Sequence, residues 1–175
     1  MALNRHLTLP IVTLTALLAA ASASAAPPAL ITSQKLPWQT AEQLASKAVQ
    51  ICAGRGYSVT AAVVDPSGHE QAVIKGDTVP LQSLSVAYRK AYTAFSYGQA
   101  FDKNSTSEII AAHLDGPANG ALNTVPEVLF IAGGVTLRRA DHQVIGGLGV
   151  SGAPGGDKDE ACASDAVKAL QGSFQ

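Results

Sequence analysis

The chain has little of what usually announces chemistry. Of 175 residues only 14% are charged and 5% aromatic, with a single Trp and two Cys. The formal charge is −1 at pH 7 and no basic run occurs. Nucleic acid and anionic membrane surfaces are therefore poor guesses as partners. Cys52 and Cys162 lack the CxxC or Cys/His spacing of a metal or dithiol redox centre. None of the four histidines forms the His-x-x-x-His pair of a zinc helix. No carboxylate pair stands out as an acid/base set, so catalysis is not the expected role.

What is present begins with a leader. Arg5 supplies a positive start, residues 7–21 are rich in Leu and Ala, and Ala21-Ser-Ala-Ser-Ala-Ala26 offers small residues for cleavage. This predicts a signal peptide over residues 1–25, cut after Ala25. The apolar run is short and broken by Pro10, where a spanning helix needs about 20 residues, so membrane insertion is not expected. A periplasmic or extracellular location follows. Residues 26–38 read as a Pro-rich lead-in and 39–175 as one domain large enough for a hydrophobic core. The scarcity of charge suits a homo-oligomer. Export also permits a Cys52–Cys162 disulfide, worth about 4 to 5 kcal/mol in the chain-entropy picture; two buried thiols are the alternative.

Ala41, Leu44, Ala45, Ala48 and Cys52 recur at helical spacing, and Thr40-Ala-Glu-Gln43 has the form of a capping box. Together they predict a first helix closed by Gly54. Residues 57–64 are apolar and β-branched and predict a strand. Asp65-Pro-Ser-Gly68 is a turn with Pro second and Gly fourth, and residues 69–75 return as the other arm of a hairpin. A second helix is expected over 81–97, its inward stripe Leu84, Ala87, Ala91, Ala94 and Phe95. The alanines suit close approach to a sheet. Ser105-Thr-Ser-Glu108 is a capping box for a short helix, followed by a loop over 115–126. Residues 128–132 predict a strand that bends at Gly133-Gly134 and continues to 138, and residues 143–150 complete a second hairpin. A last helix is expected over 158–170, with Asp157 and Glu160 as an acidic capping box. Hairpins demand antiparallel strands. The class is therefore α+β, a two-layer domain of sheet and helices.

Gly147-Leu-Gly-Val-Ser-Gly152 spells G-x-G-x-x-G between a strand and a helix, but too little chain follows for the rest of a dinucleotide-binding unit. Ser151 sits where a nucleophile elbow would place its serine. Ala153 stands where the elbow needs Gly, and no histidine follows His142, which excludes that hydrolase type. The candidate ligand-binding set is Lys90 and Thr93, one helical turn apart, with Gly133, Gly134, Ser151 and Gly152. A cation and a hydroxyl beside approachable backbone could receive a carboxylate; a solvated helix face is the plainer reading of Lys90. A single imidazole can also be an axial haem ligand. His113, at the end of the short helix beside a Gly-rich loop, is the candidate. No c-type attachment motif occurs, so any haem would be held non-covalently.

The motifs Cys52-Ala-Gly-Arg-Gly-Tyr57, Ala61-Ala-Val-Val-Asp-Pro-Ser-Gly68, Lys75-Gly-Asp77, Arg89-Lys-Ala-Tyr-Thr-Ala94, Ala132-Gly-Gly134 and Ile145-Gly-Gly-Leu-Gly-Val-Ser-Gly-Ala-Pro-Gly-Gly156 with Asp159-Glu160 come in one order. In that order the chain resembles the GlcG/HbpS-like family, also called the haem-degrading or DUF336 domain, in its secreted subgroup. Thr136 stands where the family often has Pro, and Lys75 where it often has Arg. The resemblance implies a profilin-like fold with an antiparallel sheet of about five strands, homo-oligomers and, in some members, haem. The leading expectation is an exported haem-binding protein serving sequestration, sensing or assisted degradation. The alternatives are a non-haem pocket for a small carboxylate or aromatic acid, and an accessory module for a membrane sensor.

Overall fold

The computed structural model describes residues 30–174, and the folded body begins at Ser33. The expected signal peptide, residues 1–25, lies outside the described residues.

Helix α1 (Trp38–Gly54) buries Ala41, Leu44, Ala45, Ala48 and Cys52 as its spacing demands. It starts after Pro37, two residues before the expected Thr40, and no side chain caps it. Its end is set by Gly56, not Gly54. Gly56 has φ +82°, and the amides of Gly56 and Tyr57 return to the carbonyls of Ala53 and Cys52 at 2.9 Å. That is a Schellman closure, in which the glycine one residue past the cap takes the left-handed conformation.

Strands β1 (Thr60–Val64) and β2 (Glu70–Lys75) form the first hairpin. Asp65 holds its turn, accepting from the amides of Ser67 (2.8 Å) and His69 (3.2 Å). Helix α2 (Ser83–Phe101) crosses the sheet, and α3 (Thr106–Ala111) follows. The Ser105 hydroxyl accepts from the Glu108 amide as an N-cap should, and Glu108 reaches back one residue past the cap, to the Asn104 amide, so the expected capping box forms in shifted form. A 3₁₀ turn, Pro117–Thr124, comes next. Strands β3 (Gly134–Arg138) and β4 (Val144–Ser151) form the second hairpin, and α4 (Gly156–Leu170) ends the fold.

The sheet is antiparallel in the order β2-β1-β4-β3. It has four strands among the described residues, not about five. The expected strand over 128–132 is absent. Its backbone bonds to α2 instead: the Arg89 guanidinium donates to the Val128 carbonyl (2.7 Å), and the Leu129 amide donates to the Thr93 hydroxyl (2.8 Å). An apolar run thus became a strap across a helix because two side chains supplied the partners a sheet would have given.

Helices cover both sheet faces, so the expected two layers become three. One face carries Ala61, Val63, Val135, Leu137, Leu148 and Val150 against α1 and α4. Cys52 and Cys162 join those helices by a buried disulfide, with Cα atoms 5.6 Å apart. The other face is nearly bare. Ala62 pairs with Gly149 and Gly149 with Gly134; Val64 pairs with Gly147 and Gly147 with Thr136. A methyl group on Gly134, Gly147 or Gly149 would collide with the carbonyls of Lys90, Ala91 and Ala87 respectively. With Ala87, Ala91 and Ala94 on the helix side, α2 lies with its backbone almost on the sheet.

Gly149→Ala is therefore expected to destabilise by about 3 kcal/mol or more, while Gly54→Ala, which meets nothing within 4 Å, is neutral or stabilising by up to about 1 kcal/mol; urea midpoints measure both. Replacing Cys52 and Cys162 by Ala, which opens a loop with a sequence separation of 110, is expected to cost about 4 kcal/mol on the same assay.

Candidate functional site

Five of the six candidate residues do meet, where α2 and the start of β3 reach the end of β4 and the first turn of α4. Lys90, Gly133, Gly134 and Ser151 are buried there, and Gly152 is exposed. Lys90 is 2% exposed. Its Nζ donates to Asp159 Oδ2 at 2.8 Å and to the Val150 carbonyl at 3.1 Å. Asp159 Oδ1 accepts from the Ala153 amide at 2.9 Å. Burial lifts the Asp159 carboxyl above the ordinary aspartate value of 3.8, against the pull of Lys90 and the amides of Ala153 and Gly152. The folded state thus holds a proton there more tightly than the unfolded chain. That contribution is complete below pH 3.8 and is lost as the pH rises through the raised value.

Gly133, at φ +127°, lies directly over the ammonium; a Cβ there would sit 2.7 Å from Nζ. Its amide donates to Glu160 Oε2 (3.0 Å), and the Gly134 amide donates to the Thr106 hydroxyl (2.9 Å). Ser151 is buried in register with Thr60, and Gly152 turns at φ +138° against the Ser58 carbonyl. Thr93 stands apart from this group. Its hydroxyl donates to the Arg89 carbonyl (2.8 Å) and accepts from Leu129, so it is fully used by the strap. The pairing of Lys90 with Asp159 removes the free cation on which a carboxylate pocket at this place would depend.

The expected acidic cap on α4 also takes another form. Neither Asp157 nor Glu160 caps the helix, which begins after Gly155 with no side-chain bond. Glu160 reaches across to α3, accepting from the Thr106 hydroxyl (3.1 Å), the Ser107 amide (3.1 Å) and the Ser107 hydroxyl. The wanted signal was long-range, and local spacing could not show it.

A concavity does exist, at the outer edge of β3. It is a cleft of about 620 Å³ between the start of α3, the β3–β4 turn and the last turns of α4. Val135 and Val167 give it apolar wall; Arg138, His142, Lys168 and Glu108 give it polar wall. Its size is that of a small-molecule site. The β3 edge is partly closed by chain: the Thr136 amide donates to the Asn104 carbonyl at 2.9 Å, and Ser105 bridges Val135. The expected axial ligand, His113, lies exposed at the end of α3 with φ +56°, outside this lining. His142, legible in the sequence only as a turn residue, lies within it. Among the described residues no cluster of His, Cys, Asp and Glu could hold a metal ion by itself, and no helix is long and apolar enough to cross a membrane.

Residues 36–168 match the family described as haem-degrading protein HbpS-like. The chain belongs to the HbpS-like family. It is similar to the crystal structure of HbpS, with 34% identity over 84% of this chain and 98% of that one, at a TM-score of 0.72. A double mutant of Streptomyces reticuli HbpS gives 35% identity over 87% and 98%, also at 0.72. The crystal structure of a PduOC:heme complex gives 29% identity over 78% and 95%, at 0.66. No curated protein sequence matches it. The antiparallel sheet with packed helices is thus the fold of an HbpS-like protein.

In this HbpS-like chain the buried ion pair is a structural tie. Lys90→Met and Asp159→Asn are each expected to destabilise by about 3 to 5 kcal/mol, because either leaves a buried group unpaired. The double variant K90M/D159L should unfold at higher urea than either single variant.

Proposed function

We propose that this chain is an exported haem-binding protein that sequesters or senses haem. One observation carries the reading: the PduOC structure that it resembles over 78% of its length is a heme complex. The description of its own family as haem-degrading supports the same ligand class.

The donor chemistry of the edge cleft fits the group. Val135 and Val167 offer apolar surface to a flat ring, Lys168 offers an exposed cation to its carboxylates, and His142 offers an imidazole. The buried junction around Lys90 does not fit, since its cation is already paired with Asp159 and the Gly133 and Gly134 amides with Glu160 and Thr106. Haem bound in the cleft supplies a redox-active iron and a strong visible absorption. The chain's share is to bind and orient it, with no covalent attachment motif. Export is supported by the leader expected over residues 1–25 and by the disulfide, a bond that persists in oxidising compartments. A homo-oligomer belongs to the same reading.

The mature chain, exported and purified without haem, is expected to shift and sharpen the Soret band of hemin as it binds, saturating at one hemin per chain at micromolar concentrations. An unshifted spectrum across that range overturns the reading.

A further inference from the structure

We infer that His142, at the tip of the β3–β4 hairpin, is the residue that ligates haem iron, and that the edge cleft is the seat of the porphyrin. This inference rests on the haem-binding reading above and adds to it a place and a ligand.

Of the histidines among the described residues, His69 precedes β2 beside the Asp65 turn and His113 follows the end of α3. His142 alone lines the cleft. Its backbone is firmly held. The amide donates to the Arg139 carbonyl at 3.0 Å, and the carbonyl accepts from Arg138 Nη1 at 3.0 Å. Arg138 is itself anchored, with Nε on Asn104 Oδ1 (3.1 Å) and Nη2 on the Gly98 carbonyl (3.0 Å). The hairpin tip is thus tied to the end of α2 through one guanidinium. The imidazole, by contrast, is exposed and has no hydrogen-bond partner among the described residues. A fixed backbone with an unengaged nitrogen donor is what an axial ligand needs before its metal arrives.

The other charged groups of the cleft sort by availability. The carboxylates at its α3 end are consumed: Glu108 by the Asn104 amide, Glu160 by Gly133 and by the first turn of α3. Both keep their negative charge, and Arg138, Arg139 and Lys168 on the same lining outnumber them. At the α4 end Lys168 is 75% exposed and only 3.6 Å from Asp165 Oδ1, a loose pairing that a ligand carboxylate can replace. One imidazole, apolar walls and a cationic rim describe a porphyrin dicarboxylate better than a small hydrophilic acid.

The test is a hemin titration of the full mature chain in four forms: wild type, H142N, H142G and H113N. His142 has φ +67°, a conformation that Asn and Gly tolerate well, so both substitutions keep the turn; far-UV circular dichroism and the thermal midpoint verify it. H142N is expected to weaken hemin binding by about tenfold or more and to lose the absorption bands of imidazole-ligated iron. H113N should match wild type, and millimolar imidazole should restore those bands in H142G. A wild-type spectrum and affinity in H142N, or loss in H113N instead, overturns the ligand assignment while haem binding stands. Absence of hemin binding by the wild type overturns both.

Discussion

Helix α2 rests on the sheet by backbone as much as by side chain. The Cβ positions of Gly134, Gly147 and Gly149 all point at carbonyls in its middle turns. Alanines on the helix and glycines on the strands bury little area each, but they leave no gap, and they give up almost no side-chain entropy on folding. With the gap closed, Lys90 on the buried side of α2 cannot reach water, so its charge must meet a partner inside. Asp159 is that partner. It sits in the first turn of α4, where the helix dipole also favours a carboxylate. The last helix is thereby fixed from the α2 side by an ion pair and from the α1 side by the Cys52–Cys162 bond. Arg55 adds an ion pair to Asp165 on that second side. An exposed contact of that kind contributes little next to the other two.

The parts of this fold that could be read from the chain are those whose cause lies within a few residues. Asp65 bonds amides two and four residues on, and Ser105 pairs with Glu108, so both turns were visible as local patterns. The alanine stripe of α2 likewise announced a close approach, because 3.6-residue spacing is a local property. The misreadings share one physical origin. Residues 128–132 have the composition of a buried strand, yet Arg89 and Thr93, 39 and 36 residues away, satisfy their backbone. Asp157 and Glu160 have the spacing of a cap, yet Glu160 finds better donors on α3, 53 residues back at Ser107. Spacing alone cannot weigh a distant donor against a near one. The same limit applies to the site. Lys90 and Thr93 were legible as a cation and a hydroxyl on one helix face, but not as groups already spoken for.

The location of the cleft is a consequence of that closure. Where α2, α4 and the sheet meet, Lys90, Thr93 and the amides of Gly133 and Gly134 have internal partners, and a ligand could reach the Lys90 ammonium only by breaking an ion pair in a medium that punishes unpaired charge. The edge of β3 is different. An edge strand leaves backbone groups unpaired, and a protein must blunt that edge. Here the segment before α3 covers part of it, through Asn104 and Ser105, and Arg138 turns inward to the carbonyl of Gly98. What is left uncovered lies between α3 and the end of α4, and that remainder is the concavity. The hairpin turn at its rim is joined to the body through the hydrogen bonds of Arg138, not through the glycine row. Side chains at the rim can therefore take up a ligand, or change their identity, without disturbing the contact between α2 and the sheet that holds the protein together.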